Sequence, residues 1–252
     1  MSKPFTRKLG ELTYEEAADV VAKGAVALLP CGATEAHGPH LPLATDVIIS
    51  ETAAMRASVL LERNGVEALV LPPLAYAVTD FAMGFGGTIS LPRDTARALV
   101  RDVCLAALKS GFRAVVLCNA HLEPGHLETL RSAVEEVQAR GGKVAFPDIT
   151  RKPHALRLGE EFRSGACHAG SYETSLVLAA NADLVRMDVA LALEPNLISL
   201  SRAIRDGKKN FHEAGGDHAY FGNPSAATAK EGNSLYDELA VIFADASIEV
   251  LS

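Results

Sequence analysis

The feature that constrains this chain most is an alternation of two periodicities. Continuous apolar runs recur at residues 25–30 (AVALLP), 68–78 (ALVLPPLAYAV), 114–119 (AVVLCN) and 143–149 (KVAFPDI). Runs that are apolar at successive positions suit strands buried on both faces, as in a parallel sheet. Between them lie longer segments with helical periodicity. Residues 46–65 end in Asn-Gly, a C-cap signal, and residues 92–112 open on a proline and close on Lys-Ser-Gly-Phe. Residues 124–142 carry Leu127, Leu130, Val134 and Val137 on one face and stop at Gly141-Gly142. Strand and helix in alternation imply an α/β fold of three layers, α/β/α, with a largely parallel central sheet and helices on both faces.

No internal repeat or linker divides the 252 residues, so one domain over residues 1–252 is expected. The weak periodicity of residues 194–230, punctuated by glycines, predicts an irregular stretch that walls a site or meets other subunits. The net charge is -7 without a basic block, which argues against a nucleic-acid or anionic-membrane partner. No apolar stretch reaches the roughly 20 residues that span a bilayer, and the N-terminal stretch lacks the apolar centre of a signal peptide. A cytoplasmic location is therefore expected. The four cysteines show no CxxC spacing and read as small buried residues.

Open α/β sheets bind their ligands beyond the carboxyl ends of the strands. After the first strand comes Glu35-Ala36-His37, and after the third comes His121-Leu122-Glu123. In extended backbone, residues two apart point to the same side. Asp46 adds a third carboxylate at the start of the next helix. Imidazole with carboxylate suits Zn²⁺, Mn²⁺ or Fe²⁺, and these five side chains are enough for two ions about 3.5 Å apart with open positions for water. Gly38, Pro39 and Pro42 bend the intervening chain back on itself. Each piece also has a plainer reading: a polar histidine-bearing loop and, for Asp46, a helix N-cap. A third stretch, CHAGSYETS, has two readings as well. Ser171 caps a helix and Glu173 is favoured by its dipole, or His168 moves protons at a metal site.

The stretches GATEAHGPHLPLATD, NAHLE and HAGSYETS, in this order and at these separations, resemble the creatininase (creatinine amidohydrolase) family. The later ATAKEGNSLYDEL resembles that family's C-terminal segment. The resemblance implies an α/β/α fold and a divalent-metal hydrolase of amide bonds. It implies metal ligands at Glu35, His37, Asp46, His121 and Glu123. Asp46 would bridge, Glu35 and His121 would complete one site, and His37 and Glu123 the other. It also implies proton transfer by His168 and a metal-proximal role for Glu173. Many relatives have NGHGGN, with glycine where Glu123 stands, so the retained carboxylate favours two ions. His40 falls outside this ligand set as a residue that holds the loop. Thr79, Asp80 and Leu122 are expected to bind substrate. The chain departs from creatininase in having no tryptophan, and Ser164 and Gly165 stand where that enzyme places an aromatic residue and an acid.

The leading expectation is hydrolysis of a C–N amide bond in a small cyclic amide through a metal-bridging hydroxide, with two Zn²⁺ or Mn²⁺ ions, or Fe²⁺ in their place. His168 would protonate the leaving nitrogen, a role that asks for a pKa near the working pH. Two alternatives use the same chemistry. One is deformylation of a pyrimidine intermediate of flavin and deazaflavin biosynthesis, and the other is peptide cleavage during maturation of a peptide-derived redox cofactor. An alternative of another class is a non-catalytic protein that binds metal or a small molecule. The family's compact hexamers imply a homo-oligomer.

Overall fold

The apolar runs form a four-stranded, all-parallel sheet. In the computed structural model, which describes residues 7–252, β1 is Val26–Cys31, β2 Ala68–Val70, β3 Ala114–Asn119 and β4 Val144–Ala145. Their order across the sheet is β2–β1–β3–β4. Val26 pairs with Ala68 on one side and Ala114 on the other, and Val115 pairs with Val144. The two outer strands are shorter than their apolar runs. Pro72 and Pro73 follow β2, and Pro147 follows β4. Proline cannot donate to a ladder, so regular pairing stops there. Past Pro72 and Pro73, Leu74 returns to β1, its amide donating to the Pro30 carbonyl at 2.9 Å and its carbonyl accepting from the Gly32 amide at 3.0 Å.

The helices in chain order are α1 (Tyr14–Ala22), α2 (Thr45–Arg63), α3 (Arg93–Lys109), α4 (Pro124–Gln138), α5 (Gly159–Ser164), α6 (Ser171–Asn181), α7 (Met187–Ala192), α8 (Leu200–Arg205) and α9 (Ala229–Leu251). The Asn-Gly signal ends α2, with Asn64 as C-cap and Gly65 in the left-handed region. Thr228 caps α9 by accepting a hydrogen bond from the Glu231 amide at 3.1 Å.

Along β1, alternate side chains enter different cores. Val26 and Leu28 pack with α2, α6 and α9, whereas Ala27 and Leu29 pack with α3 and α4. That division produces the three layers and explains why the central strands are apolar at every position up to Asn119, which closes β3. Residues 194–230 hold little regular structure beyond α8 and one 3₁₀ turn at Pro224–Ala226. Among the described residues no helix is long and apolar enough to cross a membrane. The first six residues, part of the N-terminal stretch read above for a leader, lie outside the described residues.

Candidate metal centre

The two central strands end side by side, and the Ala120 amide donates to the Cys31 carbonyl at 3.0 Å. The segments that continue them therefore leave the sheet together. Glu35 and His37 follow β1, and His121 follows β3. Asp46 comes from the first turn of α2, whose N-cap is Ala44, so Asp46 is not the capping residue. The approach of α2 to β1 depends on Gly32. A Cβ there would meet the Val47 amide nitrogen and Asp46 atoms at 2.7–2.9 Å. Gly38 takes a φ of 63°, which turns the chain after His37. On the far side, the N-cap of α6 is Gly170 rather than Ser171, and Glu173 lies in the first helical turn.

These elements bring Glu35, His37, Asp46, His121 and Glu173 together, each at most 3% exposed. His121 Nδ1 lies 3.3 Å from Glu35 Oε1 and 3.1 Å from Asp46 Oδ2. His37 Nε2 lies 3.2 Å from Asp46 Oδ1, 3.5 Å from Glu173 Oε2 and 3.6 Å from Glu35 Oε1. Two groups of potential ligands result, Glu35–Asp46–His121 and His37–Asp46–Glu173, with Asp46 common to both. A third, Glu35–His37–His168, overlaps them.

Both facing imidazoles are held from behind. His121 Nε2–H donates to the Val78 carbonyl at 2.8 Å, and His37 Nδ1–H donates to the Glu35 carbonyl at 3.2 Å. Each ring thus presents its other nitrogen to the carboxylates, the arrangement that orients metal-binding histidines. His37 Nε2 is buried and forms no hydrogen bond, as is Asp46 Oδ2. An orphaned nitrogen facing three acidic oxygens is satisfied by a divalent cation, so the donor set fits Zn²⁺ or Mn²⁺.

The electrostatics agree with that fit. Burial would lower the His37 pKa, but Asp46, Glu173 and Glu35 raise it to about 10. His121 is likewise driven up against burial by Glu35 and Asp46. Burial pushes Glu35 up, yet His121 holds it down at about 2, and His37 and His121 hold Asp46 lower still. Glu173 is raised to about 8 by burial and the neighbouring Asp46 and Glu35, against the pull of His37. Without metal, protonated imidazoles supply the positive charge that the carboxylates require. A bound cation replaces those protons.

The other expected site residues divide by position. Glu123 lines the same cavity but joins none of the three groups. Its carboxylate accepts from the Asp80 and Phe81 amides at 3.1 Å each. Burial raises its pKa to about 7. Thr79 is fully buried behind Glu35 and donates to its carboxylate. Asp80 is exposed and accepts from Ser90 Oγ at 2.7 Å. Of the three residues expected to bind substrate, Leu122 is the one that lines the cavity. His40 is fully buried and bonded through Nε2 to Thr174 Oγ1 at 2.8 Å, outside the ligand groups. Cys167 also lines the cavity, its thiol pushed up to about 12 by burial.

His168 Nε2–H donates to the Ala36 carbonyl at 2.9 Å, which leaves Nδ1 facing Glu35 Oε1 at 3.8 Å. Its ring packs against His37 and Phe211 at centroid distances of 4.5 and 4.4 Å. Burial and the charge on His37 lower its pKa to about 4. That departs from the expected value near the working pH. His168 is neutral at pH 7, with an open nitrogen on the cluster side.

Glu35, Asp46, His121 and Glu173 of the cluster form the floor of a cavity of about 440 Å³. Its outer wall comes from α5, α8 and Phe211, so part of the irregular 194–230 stretch does wall the site. Sequence reasoning missed the structural duty of Thr79 and the steric need for Gly32. The i, i+2 pattern carries no information about either.

The family model "Creatininase: Creatinine amidohydrolase" matches residues 10–246 of this chain. A mycofactocin precursor peptide peptidase of Mycobacterium ulcerans is 28% identical over 235 residues, covering 92% of this chain and 88% of the relative. A creatinine amidohydrolase of Pseudomonas putida is 32% identical over 201 residues, covering 71% and 74%. Among solved structures, a creatinine amidohydrolase superposes with a TM-score of 0.74 at 27% identity, covering 97% of both chains. Two others, at TM-scores of 0.73 and 26–27% identity over 97% of this chain and 98% of theirs, are described as creatininase with Mn and as a mutant creatininase of Zn-Zn type.

Proposed function

The chain belongs to the creatininase family, a family of hydrolases acting on C–N bonds, and on that premise we propose that it hydrolyses an amide at the buried carboxylate–imidazole cluster with divalent metal bound. The observation that carries this reading is the orphaned His37 Nε2, buried behind three acidic oxygens whose residues, Glu35, Asp46 and Glu173, line a cavity. Glu35, Asp46 and His121 are the proposed ligands of one ion, and His37, Asp46 and Glu173 those of a second, with Asp46 shared. When bound, divalent ions supply Lewis-acid polarisation of a carbonyl and bring the pKa of water down towards about 7.

The chain's own residues supply the rest. Thr79 fixes Glu35, and the Val78 carbonyl fixes His121 in the tautomer that exposes Nδ1. His168, neutral and with Nδ1 open, takes a proton from water and returns it to the leaving nitrogen. It thus acts as base before acid. Phe211 packs against its ring at a centroid distance of 4.4 Å and holds its orientation. Glu123, with a pKa raised to about 7, is the one carboxyl of the cavity outside the ligand groups that exchanges a proton near neutrality. We propose it as a second proton-handling group rather than as the His37-side ligand expected from the sequence.

A small amide is the first reading of the substrate. A second reading, an amide within a peptide, is favoured by the peptide peptidase relative, which aligns over 92% of the chain against 71% for the creatinine amidohydrolase. A panel of lactams, formamides and short peptides, assayed by mass spectrometry with Mn²⁺- or Zn²⁺-reconstituted protein, tests the proposal and separates the readings. Hydrolysis of one class, abolished by chelator and restored by metal, is the expected result. Full activity in excess chelator, or less than one ion per chain after reconstitution, overturns it.

A further inference from the structure

The floor of the cavity is acidic, but its outer wall is not. Among the lining residues, only Arg163 and Arg205 carry a permanent positive charge. They come from α5 and α8, two short helices tied together where the Ser201 amide donates to the Gly165 carbonyl at 3.1 Å and Ser199 Oγ donates to the Ser164 carbonyl at 2.8 Å. On α8, Leu200, Ser201, Ile204 and Arg205 line the cavity. Those positions fall on one helical face. Arg202, off that face, pairs instead with Asp206 at 3.8 Å.

Neither cavity arginine has a carboxylate partner among the described residues. Arg163 Nε donates to the Gly159 carbonyl at 3.1 Å within its own helix, which leaves its terminal nitrogens for other acceptors. The helix dipole accounts for an arginine in the last turn of each helix. It does not account for both lining one cavity whose floor is acidic, in a chain of net charge -7. A guanidinium offers two parallel donors matched to an oxyanion.

We infer that Arg163 and Arg205 form an oxyanion subsite, so that the substrate is an amide carrying a carboxylate or phosphate group on the side away from the metal ligands. This deepens the proposed function and rests on it. The cavity is then polarised along its depth. The floor binds the reacting carbonyl through metal, the apolar Leu200 and Ile204 contact the connecting chain, and the two arginines select the anionic end.

The test uses metal-binding probes, so that it does not depend on the unidentified substrate. Mn²⁺-loaded protein is titrated calorimetrically with acetohydroxamate and with succinic and glutaric monohydroxamates. Their terminal carboxamides and the matching phosphonates complete the series. In the wild type, a carboxylate or phosphonate probe should bind about fivefold to tenfold more tightly than its carboxamide, the scale of charge-assisted bonds to partly exposed arginines. The better of the two anions identifies the source of the oxyanion. In the Arg163→Ala/Arg205→Ala variant that preference should vanish or reverse, because only the acidic floor then faces the anion. Acetohydroxamate affinity and the thermal unfolding midpoint should remain as in the wild type. Equal binding of anionic and carboxamide probes by the wild type, with acetohydroxamate bound, overturns the subsite alone. So does a preference that survives in the double variant. Failure of acetohydroxamate to bind metal-loaded protein overturns the metal-hydrolase reading and the subsite with it.

Discussion

The segments that follow β1 and β3 carry the same residue pair at the same spacing, yet they use it differently. After β1, both Glu35 and His37 face the cluster. After β3, His121 does so while Glu123 turns its carboxylate to the Asp80 and Phe81 amides. The difference lies in what comes next along the chain. His37 is followed by Gly38, whose left-handed turn carries the chain away and lets the extended pair finish. Glu123 is the N-cap residue of α4, and Pro124 begins the helix at once. Its side chain is further held by two neighbouring amides. Glu173, from the first turn of α6, stands by His37 in its place. Residue spacing thus gives the side on which a group leaves the chain, and competing partners decide where it arrives.

Several substitutions break or sharpen this contrast. The largest effect is expected for Asp46→Asn, because Asp46 is common to both ligand groups. Bound metal should be lost from both, and turnover should fall by about 10³-fold or more, in line with the loss of electrostatic stabilisation of the transition state. Elemental analysis alongside kinetics checks this, and retained metal at wild-type level would contradict the shared role. His168→Ala should lower kcat by about 10²-fold, the scale of general acid–base catalysis, with metal content unchanged. A fall in KM-dependent binding without a fall in kcat would remove its proton-transfer role. Thr79→Val, which deletes the bond that fixes Glu35, should weaken metal affinity by about tenfold, as for other groups that orient metal ligands. The mildest expected loss of metal is that of Glu123→Gln. It should reduce turnover while retaining more metal than Glu173→Gln. The opposite order would return Glu123 to the ligand position that the family resemblance implied.

The pH dependence has a definite sign. His37, with its pKa raised to about 10, and Glu173, raised to about 8, must lose protons before they can bind metal. Metal affinity should therefore rise with pH between about 6 and 9, with proton release on binding that shrinks as pH increases. Calorimetric titrations in buffers of different ionisation enthalpy measure both. Affinity independent of pH would mean that the imidazoles do not take part.

Much of the fold was legible because the central strands are continuously apolar up to Asn119, which few arrangements other than a sheet covered on both faces explain. The outer strands were over-read, since an apolar run continues past the prolines that interrupt its regular pairing. At the site, strand ends and i, i+2 spacing pointed to Glu35, His37, His121 and Glu123, the helix start added Asp46, and the resemblance added Glu173 as metal-proximal. Spacing could not tell that Glu123 would turn to other partners. What the sequence could not carry was set by contacts distant along the chain. Thr79 meets Glu35 from 44 residues away. His168 meets the Ala36 carbonyl across 132 residues. The two wall arginines come from short helices whose amphipathic patterns are too brief to read.

The central claim is that the cluster joining β1, β3, α2 and α6 binds divalent metal. Anomalous diffraction from crystals of active, Mn²⁺-reconstituted protein tests it most directly. The account predicts anomalous density between His121 Nδ1 and Asp46, and between His37 Nε2 and Glu173, with Asp46 reaching both. Crystals of fully active protein with no anomalous peak inside the cluster would contradict it.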